Sequence, residues 1–494
     1  MPADLRHPII PGFHPDPTIC RVGRDFYLAT SSFEYFPGVP LFHSRDLVQW
    51  KKIGHALTRT SQLDLMGAAS SEGIFAPTLR HHNGRFFLVT TNVRADGMGG
   101  NFFVWTDDIH SDWSDPVWID REWFDPSFLF DEDGTVYYTR RTETTIAQAR
   151  IDIATGRLLD PLRDIARPFD SSDAEGPHLY KIGGRYYLLT AEGGTGPGHR
   201  VCIGRSDSPW GPFEPCPHNP ILCQSGFPAA PVRYTGHGDL IEDADGNWWI
   251  VFLATRHNPK SGSNFHHLGR ETFLAPLTWR DGWPLVPEDS IQSIQSIQSI
   301  QSINSTQSTH EWVSLRVPSS ADFSALPRRL RLTGNASTLD DPAAPAFAGR
   351  RLTAPHFRAG VSLAFSPVSP GDEAGFSLFL SERFHAEVGI RGGAAGAECF
   401  VRRRAGDLAA TVHVSPCAPP QLHLEISGDW HTITFRAGSN PASLPVVATA
   451  ERRFFCTEIA EGWTGCFLAL YATSPFPTPP AADFENFTLE DTSP

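Results

Sequence analysis

The chain has 494 residues, 40% of them hydrophobic and 19% charged, which excludes disorder of the whole and supplies apolar material for two or three domains. Glycine and proline each occur 42 times beside 34 Phe and 13 Trp, a composition that excludes a helix bundle and favours short strands joined by turns. Lys and Arg total 41 against 55 Asp and Glu, and the resulting charge of -14 repels phosphate backbones, so the expected partner is a neutral substrate and not nucleic acid.

The first ten residues hold no apolar run of signal-peptide length, and no stretch of 18 apolar residues occurs anywhere. As written, the chain reads as cytoplasmic and without a membrane partner; secretion would follow from an incomplete N-terminus. Eight cysteines are too sparse for a disulfide scaffold and none has metal-ligand spacing, so buried thiols are expected. From residue 24 onward a pattern repeats. RDFYL at 24–28, GRFFL at 84–88, GTVYY at 134–138, GRYYL at 184–188 and GNWWI at 246–250 each read as a hairpin turn and its aromatic second strand. Related segments follow at 42–47, 104–108 and 203–207. A period of 50 to 62 residues made of strands and turns is propeller-sized, and five copies predict a five-bladed propeller over 1–289. Residues 290–309 carry Ile-Gln-Ser triplets with no charge and read as a low-complexity linker. Beyond it, 310–494 contains alternating segments such as LRLT at 330–333 and WHTITF at 430–435, which predict a β-sandwich. The fold class is therefore all-β.

About ten residues before each aromatic pair lies the start of the preceding strand. These starts hold Asp16, Ala76, Asp125, Glu175 and His237. In a propeller the first strand of every blade lines the central channel, so the five positions should converge at one mouth. An aspartate before proline is ordinary turn chemistry. Three acids at one repeat-equivalent position are less ordinary, because crowded carboxylates raise one another's pKa. Two carboxylates of separated pKa are what glycosidic cleavage uses, one to protonate the leaving oxygen and one to activate water.

At these residues the chain resembles glycoside hydrolase family 43, in its β-xylosidase and α-L-arabinofuranosidase branch. The resemblance rests on HPIIPGFHPDPT at 7–18, YLATSSFEYFPGV at 27–39, FDPS at 124–127, EGPHLY at 175–180, GHG at 236–238 and LGRE at 268–271. It covers residues 7 to about 290 strongly and implies a five-bladed propeller followed by a concanavalin-like sandwich. It implies an exo-acting, inverting glycosidase releasing xylose or arabinofuranose from oligosaccharides. Asp16 would be the general base, Asp125 the residue that tunes and orients the acid, and Glu175 the general acid. Arg270 would bind the terminal sugar, where a structural ion pair is the alternative. Phe33, with Tyr35 and Phe36 nearby, would line the pocket. His237 matches a histidine near the channel centre; the resemblance requires no cofactor, but it allows a structural calcium there. Trp463, in EGWTGCF at 461–467, is either a pocket wall contributed by the sandwich or a core tryptophan. Two departures stand out. Phe75 replaces a tryptophan of close relatives, which keeps an aromatic wall without the indole N–H. His14 replaces an asparagine and puts a titratable ring near the proposed base. The competing readings are an endo-arabinanase, which needs an open groove, and a non-catalytic sugar-binding propeller.

Overall fold

The computed structural model describes residues 7–97, 99–225, 230–258, 264–290, 309–319, 321–326, 328–417 and 421–493. Residues 291–308, nearly all of the expected linker, lie outside the described residues.

Among the described residues the N-terminal part forms five antiparallel sheets in chain order. Each is built outward from the hairpin that the repeats mark. The first runs through Thr18–Val22, Asp25–Ala29, Gly38–Ser44 and Lys51–Leu57. The second is centred on Arg85–Val93, against which Thr78–His82 pairs, and the third begins with Ser127–Phe130 and Val136–Arg141. The fourth begins with Glu175–Ile182 and the fifth with Val232–Glu242. The innermost strands Thr18–Val22, Thr78–His82, Ser127–Phe130, Glu175–Ile182 and Val232–Glu242 contact their neighbours in cyclic order. Ile10 bridges to Thr272 of the fifth sheet, so the chain's start overlaps its last sheet and closes the ring. This is a propeller.

A carboxylate–guanidinium hub holds the inner strands in register. Asp239, fully buried on the fifth inner strand, accepts from Arg80 of the second at 2.8 and 3.1 Å. It also accepts from Thr18 Oγ1 and Ile19 N of the first at 2.7 and 3.0 Å, and from the Tyr180 hydroxyl of the fourth. Burial alone would raise the Asp239 pKa, but Arg80 and these donors hold it well below the usual carboxylate range. Four of the five sheets thus converge on one carboxylate.

The C-terminal part is a β-sandwich of an eight-stranded and a six-stranded sheet. Buried apolar side chains from both sheets, among them Phe376, Leu378, Val388, Leu424, Phe435 and Leu470, form its core. The eight-stranded sheet does not end within the second domain. Its edge strand Trp312–Leu315 pairs with Tyr35–Phe36 of the N-terminal part. Tyr35 stacks on Phe467 with ring centroids 4.0 Å apart, and Phe13, Phe33, Phe347 and Tyr471 join them in an apolar cluster shared by both domains. This corrects the expectation that Tyr35 and Phe36 line the pocket. Both are buried, and the pairing they make docks the sandwich. Arg316 reinforces it by donating to the Ala68 carbonyl at 2.6 Å and pairing with Glu382. No helix among the described residues is long and apolar enough to cross a membrane. All eight cysteines are free, six of them buried.

Removing Asp239 would leave the Arg80 guanidinium buried without its counter-charge, so Asp239→Ala should lower unfolding stability by about 3–5 kcal/mol. Adding Arg80→Met should restore a large part of that loss. Urea unfolding of the two variants checks this; a loss below about 1 kcal/mol would mean the hub does not hold the strands.

Candidate active site

The five strand starts meet as the repeats predict. Asp16, Ala76, Asp125, Glu175 and His237 all line one cavity of about 360 Å³ at the mouth of the ring. Phe33, Phe75, Arg270 and Trp463 line it too, whereas Tyr35 and Phe36 do not.

Backbone pairing between distant segments explains how. His14 N donates to the Arg270 carbonyl at 3.1 Å and Thr272 Oγ1 donates to the His14 carbonyl at 2.6 Å. The segment before Asp16 is thereby laid beside the segment that carries Arg270. Phe33 and Ile74 exchange backbone hydrogen bonds at 2.9 and 3.2 Å, which sets Phe33 beside Phe75 with ring centroids 5.0 Å apart. Phe124 adds a third ring, 5.7 Å from Phe75. Asp16, Phe33, Asp125 and His237 all hold positive φ, between 45 and 58°. Left-handed backbone at four non-glycine residues of one cavity is strain that the surrounding sheets must impose. Gly176 is required for a different reason. A Cβ there would sit 2.9 Å from the His237 ring, and its N–H donates to Asp125 at 3.0 Å.

Asp16 and Asp125 are buried, Glu175 somewhat less so, and the three are differently compensated. Asp16 accepts from Arg270 at 2.9 Å and from the Ser31 hydroxyl, with His237 Nδ1 at 3.8 Å. Burial pushes its pKa up, yet Arg270, His237 and Ser31 together bring it below the usual value. Asp125 accepts, among the described residues, from the Gly176 N–H alone, and burial, aided by the Asp16 charge, raises it. Glu175 is pushed up to about 7 by burial and by the Asp125 charge, although Arg141 donates to it at 2.6 Å. One carboxylate is thus held ionised and another held protonated towards neutrality.

Trp463 is 44% exposed, which rules out the core position. Its backbone N–H donates to Ser71 Oγ at 2.8 Å and its backbone carbonyl accepts from Arg270 at 3.3 Å. Ser71 N in turn donates to Glu34, a buried carboxyl raised to about 8 by burial and by Glu382. The sandwich therefore supplies one wall of the cavity. Arg270 makes the ion pair with Asp16 that the structural reading anticipated, and it makes it inside the site, over the Phe33 ring. His14 corrects an expectation. Its ring packs edge-on against Phe42 with Nδ1 3.4 Å from Thr30 Oγ1, and burial, then Arg351, drives its pKa well below 6.5. It stays neutral and does not titrate beside Asp16. Arg141 and Phe124 were missed as site residues. The only signal was an arginine pair closing a strand of otherwise aromatic and small residues.

A calcium ion would take six to eight oxygen ligands. Among the described residues no three His, Cys, Asp or Glu side chains cluster as metal ligands, and Asp239 is already neutralised by Arg80.

Comparison with known proteins identifies the two domains. Residues 5–284 match the model of glycosyl hydrolases family 43, and residues 304–490 match the beta xylosidase C-terminal concanavalin A-like domain. The chain belongs to glycosyl hydrolases family 43 and is a glycosidase. It is 39% identical over 487 residues to the non-reducing end alpha-L-arabinofuranosidase of Bacteroides ovatus, covering 95% of this chain and 91% of that protein. It is 34% identical to a xylosidase/arabinosidase of Butyrivibrio fibrisolvens, covering 98% and 99%. The solved xylan beta-1,4-xylosidase of Bacillus halodurans superposes with a TM-score of 0.90 at 30% identity, covering 99% of this chain and all of the other.

The raised pKa of Glu175 has a consequence for stability. The folded state binds that proton more tightly than the unfolded chain, so the advantage is complete below 4.5 and is lost as pH rises through about 7. Glu175→Gln is neutral at every pH. Its melting temperature should therefore gain on wild type as pH rises from 4.5 to 8, by an amount equivalent to about 3 kcal/mol at most. A difference independent of pH would mean that Glu175 ionises as an ordinary carboxylate.

Proposed function

We propose that the chain is an exo-acting, inverting glycosidase that releases xylose or arabinofuranose from the non-reducing ends of xylo-oligosaccharides or arabinoxylan fragments. Its catalytic part is a five-bladed propeller, each of the five sheets being one blade. The observation that carries this reading is the opposed ionisation of Asp16 and Glu175 within one cavity. Asp16 accepts a proton from water as the water attacks the anomeric carbon. Glu175 gives its proton to the leaving oxygen as the glycosidic bond breaks. Asp125 raises the pKa of Glu175 by its charge and, through the Gly176 N–H, fixes the backbone next to that acid. Arg141 steadies the carboxylate that Glu175 becomes.

The rings of Phe33, Phe75 and Phe124 offer apolar faces to the sugar, and Arg270 and His237 offer N–H donors. The names of the relatives, xylosidases and arabinofuranosidases, support a pentose at this position. Trp463 from the sandwich walls the cavity, which favours a pocket that takes chain ends over the open groove of an endo-arabinanase. The presence of all three acids with separated ionisation argues against a sugar-binding propeller without activity.

Assay with p-nitrophenyl β-xyloside, p-nitrophenyl α-L-arabinofuranoside and xylobiose tests the reading, and hydrolysis of none of them would end it. The variants test the roles. A good leaving group departs without protonation, so Glu175→Ala should lose about 10²–10⁴-fold on xylobiose and much less on the aryl glycosides. Asp16→Ala should lose comparably on all, because nothing else activates the water. Equal losses for Glu175→Ala on both substrate types would show that the roles are wrong.

A further inference from the structure

A second cavity of about 740 Å³ adjoins the catalytic one and shares Thr195, Arg270 and Trp463 with it as a common wall. It lies between the propeller and the sandwich, with Tyr234 and His266 on one side and Thr457, Glu458 and Glu461 on the other. Its polar groups are mutually compensated. His266 Nδ1 pairs with the Glu458 carboxylate and His266 Nε2 lies 3.2 Å from Thr457 Oγ1. The charge of Arg270 is balanced by Asp16. What remains to a ligand is aromatic surface from Tyr234 and Trp463, hydroxyl groups, and the exposed Glu461 carboxylate as an acceptor. That lining disfavours anions, is too polar for a lipid, and suits a neutral polyhydroxyl ligand. The backbone is also strained on both sides, since Tyr234 and Glu461 hold φ of 58 and 62°.

The position of this chamber relative to the acid decides what would occupy it. Glu175, Arg141 and Asp173, the groups on the leaving-group side, line the catalytic cavity but not the second one. The common wall is made by Thr195, Arg270 and Trp463, and Arg270 there is bonded to Asp16. The backbone of Trp463 is pinned by Ser71 and Arg270 while its side chain is largely exposed, so the indole is the part of the wall that can turn aside.

We propose that this chamber is a binding site for a neutral glycosyl unit carried by the terminal pentose, which lets the enzyme cleave behind a substituted non-reducing end and release an intact disaccharide. The inference rests on the glycosidase reading above. The chemistry balances as before: water adds across the bond between the substituted pentose and the leaving oxygen, and the bond between pentose and substituent survives.

The test is the first product released from p-nitrophenyl pentosides whose pentose carries a xylosyl unit at O2, O3 or O4, read by mass spectrometry beside the unextended glycosides. At least one extended substrate should yield p-nitrophenol and intact disaccharide in a single turnover. Thr457→Trp fills the chamber from the sandwich side and Pro197→Trp from the propeller side. Each should lower kcat/KM for that extended substrate, relative to the unextended one, by about tenfold or more. Release of monosaccharide alone from every extended substrate would overturn the proposal. So would equal losses on both substrates in whichever variants fold. If the unextended glycosides are not cleaved at all, the functional reading itself fails and this inference falls with it.

Discussion

Three carboxylates around one small cavity cannot all ionise at neutral pH unless cations are shared among them, and among the described residues two guanidinium groups reach them. Their distribution is uneven. Arg270 and a hydroxyl serve Asp16, Arg141 serves Glu175, and Asp125 accepts from a backbone N–H. Burial lowers the local dielectric, so the Asp125 charge acts strongly on Glu175 and keeps a proton there that an exposed glutamate would lose. The same arginine that keeps Asp16 ionised also donates to the Trp463 carbonyl, so the charge state of Asp16 and the docking of the sandwich share one side chain.

That arrangement demands alignment of strands that are far apart in sequence, and two further interactions provide it. The Asp239–Arg80 pair, with Thr18 and Tyr180, ties four inner strands to one point. A loss of register on any of them would move a carboxylate from the cavity mouth. The apolar cluster around Tyr35 and Phe467 and the strand pairing of Tyr35–Phe36 with Trp312–Leu315 hold the sandwich where Trp463 can serve as a wall. Positive φ at Asp16, Asp125 and His237 is stable only because hub and interface leave those residues no alternative.

Much of this was legible in the sequence because the fold repeats. Five copies of one hairpin place equivalent residues at equivalent points of a ring, so Asp16, Asp125 and Glu175 could be grouped without knowing any distance. What the repeat could not reveal were contacts between unlike positions. Arg141 ends a second strand and reaches Glu175 of the next sheet, a contact that depends on how adjacent sheets pack. Asp239 lies two residues beyond His237 and points to the hub, not the cavity; alternation along a strand would have suggested one face, but register shifts occur between Gly236 and Asp239. Tyr35 and Phe36 misled because an aromatic loop next to a pocket and an aromatic strand under a second domain have the same composition. His14 misled because a histidine's charge is set by burial, which one sequence does not report.

The central claim is that Asp16 stays ionised and activates water for direct displacement, with Glu175 as the acid. The configuration of the first sugar released tests it most directly. Proton NMR during hydrolysis of p-nitrophenyl β-xyloside should record α-xylose as the initial product, before mutarotation mixes the anomers. Initial release of β-xylose would require a covalent glycosyl intermediate, and would contradict the assignment of Asp16 as a base.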